Sequence, residues 1–219
     1  MINNYIFDFD GTLVDSMAFW YSLISGYLDR NKIKYDKDTL LKQQHGLTIS
    51  DALIMVKENY VPNLSIKEIE QGIRDHIQAF YSSEVVLKDN ALDLLKLLKQ
   101  QGKKVYIYSV TEKPYLETAV KYLGIESYID GIYSENLLGI SKRDVQSFYK
   151  LCQLEDIQVN ESVVVEDSLY ALQTLLGSAF TRYAIYDANN NNEALLKEYS
   201  NQYFYNFKEM IAYINDESN

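Results

Sequence analysis

The sequence predicts an α/β protein: an open parallel sheet, doubly wound and covered by helices, with an all-helical segment inserted after the first strand. Three observations predict it. Short β-branched or aromatic runs alternate with amphipathic segments, the pattern of parallel strands joined by crossover helices. Residues 15–83 read as helix after helix, with no strand pattern among them. Four strand candidates end in, or are followed by, polar or charged residues, and open parallel sheets hold their ligands beyond the carboxyl ends of their strands.

The first strand is expected over residues 5–8, Tyr5-Ile6-Phe7-Asp8. Helices of the insert are expected over 17–30, 37–44, 50–59 and 66–81. Ser65 and Glu68 form a capping box for the last of these, and Pro62 separates it from its predecessor. The chain thus divides into a core of residues 1–14 and 84–219 and a helical cap of residues 15–83. In the core, helices are expected over 90–101, 114–123, 143–154, 169–176, 192–199 and 207–215, with Gly102 and Gly124 where helix C-caps belong. Strands over 104–109, 131–134, 162–166 and 182–186 alternate with them, and residues 203–205 add a short edge strand.

A chain of 219 residues can bury a core of this kind. Its 21 Lys and Arg against 31 Asp and Glu give a formal net charge of −10, which disfavours nucleic acid as a partner and leaves small anions to a locally positive site. The longest uncharged apolar stretch, Ser16 to Leu28, falls short of the roughly 20 residues that span a bilayer, so no membrane association is expected. Nor does the beginning show a basic region followed by an apolar run, and a cytoplasmic protein, monomeric or weakly self-associating, is the expectation. Cys152 is the single cysteine. It makes an intrachain disulfide impossible and reads as a small apolar filler on a helix.

The chemistry concentrates in Tyr5-Ile6-Phe7-Asp8-Phe9-Asp10-Gly11-Thr12-Leu13-Val14-Asp15-Ser16. An apolar strand runs there into two carboxylates one residue apart. Such a pair repels by about 4 kcal/mol at 4 Å and an effective dielectric of 20, so keeping both ionised calls for a cation, most simply a divalent metal. An ordinary acidic turn is the alternative. The second strand ends at Ser109, Lys142 follows the third, and the fourth ends in Glu166-Asp167-Ser168. Each has a bland reading alone: a serine capping a helix, a solvated lysine, an Asp-Ser N-cap.

Taken in order and at strand ends, D-x-D-G-T-L-V-D-S, Ser109, Lys142 and Glu166-Asp167 resemble the four motifs of the haloacid dehalogenase superfamily over nearly the whole chain. The resemblance implies a Rossmann-like core and a helical cap that closes over small substrates. It implies that Asp8 is a nucleophile toward phosphorus, Asp10 the general acid and base, Ser109 a phosphate-binding hydroxyl and Lys142 the charge-neutralising lysine. Asp167, with Glu166 as a second acid, would join Asp8 and the Asp10 backbone carbonyl around Mg²⁺, while Gly11, Thr12 and Val110 would help to hold the phosphate. Thr111 competes with Ser109 for the second motif, but the spacing from Gly102 and to Leu123-Gly124 favours Ser109.

The activity so implied is Mg²⁺-dependent hydrolysis of a small phosphorylated metabolite through an aspartyl-phosphate. A sugar-phosphate mutase and a catalytically silent phospho-ligand-binding protein are the alternatives. Mutases of this type carry a His near the position of Trp20 and an Arg near that of Ile49, and this chain has neither. In the cap, Phe19, Trp20 and His45 are candidates for substrate contact, with helix packing the competing reading of the aromatics, whereas Arg74 and His76 are expected to be solvated. Two departures from the family pattern stand out: Arg143 replaces the proline that often follows the lysine, and Ser168-Leu169-Tyr170-Ala171-Leu172 lacks the usual glycine.

Overall fold

The computed structural model describes residues 2–44 and 49–217. Contacts divide the chain into two compact units, one of Met1–Ser16 with Val85–Asn219 and the other of Met17–Glu84.

The larger unit is built on a six-stranded sheet in which every neighbouring pair is parallel. Its strands are β1 (Asn4–Phe7), β2 (Lys104–Ser109), β3 (Gly131–Ser134), β4 (Ser162–Glu166), β5 (Thr181–Ile185) and β6 (Gln202–Phe204). The order β3-β2-β1-β4-β5-β6 puts β1 in the middle, with Phe7 in register with Ile107 on one side and Val165 on the other. Connections leave β1 and its neighbours in opposite directions, so the carboxyl end of β1 is the topological switch point of the sheet. Helices lie on both faces, and β1 and β4 are buried along their whole length, as the apolar runs Tyr5-Ile6-Phe7 and Val163-Val164-Val165 require.

The twelve α-helices among the described residues are, in the smaller unit, α1 (Met17–Tyr21), α2 (Leu23–Arg30), α3 (Lys37–Gln44), α4 (Ile49–Asn59) and α5 (Ile66–Ser83). In the larger unit they are α6 (Ala91–Gln100), α7 (Lys113–Tyr122), α8 (Glu135–Leu138), α9 (Val145–Leu154), α10 (Leu169–Thr174), α11 (Glu193–Tyr199) and α12 (Phe207–Glu217). Gly102 and Gly124 follow α6 and α7 at φ 69° and 67°, the left-handed conformation that a helix C-terminus assigns to glycine. One core cluster joins Ile6, Tyr108 and Val164 of the sheet to Phe148, Leu151 and Cys152 of α9. Burial pushes the Cys152 thiol up to about 11, so it packs as an inert apolar group.

The helical unit shows what a single periodicity cannot. The expected helix over 17–30 is two, α1 and α2, meeting at Ser22, whose Oγ donates to the Ala18 carbonyl at 2.7 Å and competes with the helical ladder. The capping box of α5 is present: Glu68 Oε2 accepts from Ser65 N at 2.7 Å and Ser65 Oγ accepts from Glu68 N at 3.3 Å. His76, expected in solvent, is instead buried at 9% exposure. It lies on the stripe of Ile69, Ile73, Ile77 and Phe80, which sit three or four residues apart on the inward face of α5. Its ring centre is 5.1 Å from that of Phe19, and burial pushes its pKa down. Arg74 is half-exposed, on the outer face, paired with Glu70 at 3.2 Å. Phe19 stacks on Phe80 at 3.9 Å and Trp20 meets Phe19 edge-on at 5.7 Å, so both aromatics take part in packing inside this unit.

Gly26 marks how closely α2 and α5 approach, since a Cβ there would lie 2.6 Å from His76 Nε2. Helix propensity alone favours Ala over Gly by about 1 kcal/mol. We expect the opposite sign: Gly26→Ala should destabilise the protein by about 1–3 kcal/mol through overpacking. Urea denaturation reads the difference, and a stabilised variant would contradict this packing.

Candidate active site

The site forms where the central strands stop. Asp8 is the first residue past β1 and still pairs with β4, its N–H donating to the Val165 carbonyl at 2.9 Å. The chain then turns sharply. Gly11 at φ 80° permits the reversal, and the Leu13 and Val14 N–H groups return to the Phe9 carbonyl at 3.0 and 3.1 Å. This turn places Asp8 and Asp10 in different surroundings. Asp10 is held by two hydroxyls, with Ser16 Oγ donating to its Oδ1 at 2.7 Å and Thr111 Oγ1 to its Oδ2 at 2.8 Å.

Asp8 faces a buried lysine. The Lys142 ammonium lies 2.5 Å from Asp8 Oδ1 and 2.5 Å from Glu166 Oε1, with the side chain 1% exposed. The backbone at Lys142 is tied down by its N–H donating to Glu135 Oε2 at 2.8 Å. Glu166 ends β4 and is fully buried; its other oxygen accepts from Ser168 N at 3.0 Å and from Ser168 Oγ at 2.7 Å. Asp167 accepts from Thr12 Oγ1 at 2.9 Å, and the Asn190 side-chain amide donates to its backbone carbonyl at 2.5 Å.

Asp8, Glu166 and Asp167 each offer a carboxylate oxygen, and the three lie within 4.8 Å of one another. Three buried carboxylates face one ammonium, and the imbalance shows in their proton affinities. Burial raises Asp8 well above the usual carboxylate range; Lys142 opposes this, and Glu166 and Asp167 add to it. Asp167 is pushed up to about 7, by burial first and then by Glu166. Burial alone would lower Lys142, but the Asp8 and Glu166 carboxylates outweigh it, and the lysine stays charged. Clustered anionic oxygens short of positive charge are the donor set of a hard cation, so the cluster fits a metal ion.

Of the residues singled out in the sequence, Asp8, Lys142, Glu166 and Asp167 come together in this cluster, and Asp10 stands beside it with its carboxylate committed to Ser16 and Thr111. Ser109 ends β2 at 2% exposure, its Oγ accepting from Thr111 N at 3.2 Å. Gly11 and Thr12 are buried in the turn and Val110 is exposed. Trp20 packs within the helical unit, and His45 lies outside the described residues. Thr111, set aside in favour of Ser109, has a place of its own as a partner of Asp10. Ser16 and Thr12 lie inside the first motif and were legible as hydroxyls there. Asn190 carried no signal, because 23 residues of chain separate it from the carbonyl it holds.

The family model of haloacid dehalogenase-like hydrolases matches residues 5–175. A phosphoglycolate phosphatase of Psychrobacter arcticus is 27% identical over 173 residues, which cover 75% of this chain and 74% of that protein. A validoxylamine A 7'-phosphate phosphatase of Streptomyces hygroscopicus subsp. limoneus is 22% identical over 163 residues, covering 74% and 76% of the two chains. Among solved structures, a candidate β-phosphoglucomutase of Thermotoga maritima superposes with a TM-score of 0.84 at 17% identity, covering 98% of this chain and 99% of that one. At that identity the likeness shows the fold.

The raised carboxyls give the site a pH signature. Asp167 holds its proton up to about 7 in the folded protein, against about 3.9 for a free Asp, so the folded state binds it more tightly. The stability this contributes is complete below about pH 4 and is lost as pH rises through the folded value. Asp8 shifts in the same direction. The metal-free protein should therefore lose Tm across this window, and added divalent cation should raise Tm far more near about pH 8 than near about pH 5. Equal shifts at the two pH values would contradict the assignment of a cation to this cluster.

Proposed function

The chain belongs to the haloacid dehalogenase-like hydrolases and is a phosphatase of that family; we propose that it hydrolyses a small phosphorylated metabolite in the cytoplasm with Mg²⁺, through a phosphorylated Asp8. The observation that carries this reading is the buried group of Asp8, Glu166 and Asp167 with the Lys142 ammonium against it. Asp8 and Asp167 would hold Mg²⁺, with Glu166 as a further acid and the Asp10 backbone carbonyl as a neutral ligand. Bound there, Mg²⁺ would offset the repulsion between a carboxylate and an already anionic phosphoryl group.

The residues of this chain then divide the work. An Asp8 oxygen attacks phosphorus as the ester P–O bond breaks, and Asp10 gives the departing alcohol its proton. The phosphoryl group now rests on Asp8. Asp10, left as a carboxylate, takes a proton from water, whose oxygen attacks the same phosphorus, and inorganic phosphate leaves with Asp8 restored. Lys142 favours the ionised form of Asp8 against the burial that raises it and, with the Ser109 hydroxyl and the backbone N–H groups after Asp8, receives the equatorial oxygens as their charge develops. Ser16 and Thr111 hold the Asp10 carboxyl ready between its two proton transfers. Both curated relatives carry phosphatase names, which favours release of phosphate over its transfer within one sugar phosphate.

Asp8→Asn should release no phosphate from p-nitrophenyl phosphate with Mg²⁺, and turnover retained by that variant would refute the nucleophile. Asp10→Asn should lower kcat by about 10²- to 10⁴-fold, the usual worth of a positioned acid and base. Excess EDTA should abolish phosphate release and added Mg²⁺ restore it. A protein that moved phosphate between two positions of one sugar without releasing any would be a mutase instead.

A further inference from the structure

Arg143 is exposed and follows Lys142 directly in the chain. Its guanidinium carbon lies 4.2 Å from the centre of the Tyr170 ring. The pair is fixed from both sides. Thr174 Oγ1 donates to the Tyr170 carbonyl at 2.9 Å and to the Arg143 carbonyl at 3.3 Å, while Arg143 N donates to Ser141 Oγ at 3.3 Å. The acid next in the chain, Asp144, is engaged as the N-cap of α9, accepting from Gln146 N at 2.9 Å. No carboxylate among the described residues pairs with the Arg143 guanidinium.

Tyr170 also stands three residues past Asp167, in the first turn of α10. Burial raises its phenol, and the charges of Lys142, Glu166, Asp8 and Arg143 act on it as well. One side chain thus joins the phosphoryl site to a stacked, unneutralised guanidinium. Stacking fixes the planar fork of the arginine in advance, so less freedom is lost when it grips a ligand, and that fork matches the paired oxygens of a carboxylate or a phosphate. An acidic chain of net charge −10 has acids to spare for neutralising a cation that serves only the surface.

We propose that Arg143, seated on Tyr170, is an anion subsite beside the phosphoryl site, and that this chain prefers phosphomonoesters bearing a second anionic group, a carboxylate or a further phosphate. The proposal rests on the phosphatase reading for where the transferred phosphoryl group sits. It moves part of substrate selection from the helical unit to the loop after Lys142.

The test compares 2-phosphoglycolate, fructose 1,6-bisphosphate and phenyl phosphate, the last lacking a second anion. Affinities are measured by calorimetry with Mg²⁺ in the Asp8→Asn protein, where turnover does not interfere. Added Arg143→Ala should weaken at least one of the two doubly anionic esters about tenfold more than phenyl phosphate, the scale of a lost charge-assisted hydrogen bond. Arg143→Lys should recover little of that loss, because an ammonium lacks the fork. Tyr170→Leu should reproduce it by removing the seat. Whichever ester responds identifies the second anion as carboxylate or phosphate. If neither doubly anionic ester binds, or if Arg143→Ala weakens all three esters within about twofold of one another, the subsite is overturned. Release of phosphate by the protein with Asp8 intact is assayed separately, so failure of the phosphatase reading is told apart from failure of the subsite.

Discussion

The candidate active site depends on one buried ammonium. Lys142 touches Asp8 and Glu166 at once with its side chain shut off from water. In such surroundings a charge survives only with partners, and removing one member of a buried pair typically costs about 3–5 kcal/mol. Lys142 therefore does two things that conflict elsewhere in the fold. It makes a buried carboxylate tolerable, yet one ammonium against three carboxylates leaves the cluster two positive charges short of balance, a deficit that a divalent cation would fill.

The sheet makes that arrangement possible. The strand order brings residues 8, 109 and 166, remote in sequence, to the ends of three adjacent strands β2, β1 and β4. Because parallel strands running the same way all end at the same edge, carboxylates and hydroxyls placed at or just past each strand end converge without any further device. What the sheet does not supply, short loops do: the Gly11 turn aims Asp8 and Asp10 differently, and the contact of Glu135 with the backbone at Lys142 sets the lysine loop. The helical unit obeys different physics. Its packing is aromatic and aliphatic, with Phe19, Phe80 and His76 stacked where only small residues such as Gly26 allow α2 and α5 to approach. No helix among the described residues is long and apolar enough to cross a membrane.

Sequence periodicity and motif order were enough for the architecture. Each strand lies within one residue of its expected position, because uninterrupted runs such as Val163-Val164-Val165 admit no other burial. The helices inside 15–83 were legible as helices, and the capping box of α5 was readable from Ser65 and Glu68 alone. Ser22, which divides one expected helix into two, and His76, which turns inward, were not. A serine's back-bond and a polar residue's facing depend on which stripe meets a neighbour, and only packing decides that.

For the candidate site, local chemistry and strand ends singled out Asp8, Asp10, Lys142, Glu166 and Asp167, and the fold brings them together because acids and a lysine at the ends of buried parallel strands share one edge of the sheet. Tertiary structure alone decided the pairings: Thr111 on Asp10, Lys142 shared between Asp8 and Glu166, Asn190 on the carbonyl of Asp167, and Arg143 on the face of Tyr170. The reason is physical. Hydrophobic patterning acts along the chain and determines where an element lies, whereas a hydrogen bond or ion pair between distant residues exists only once the backbone has closed to within about 3 Å.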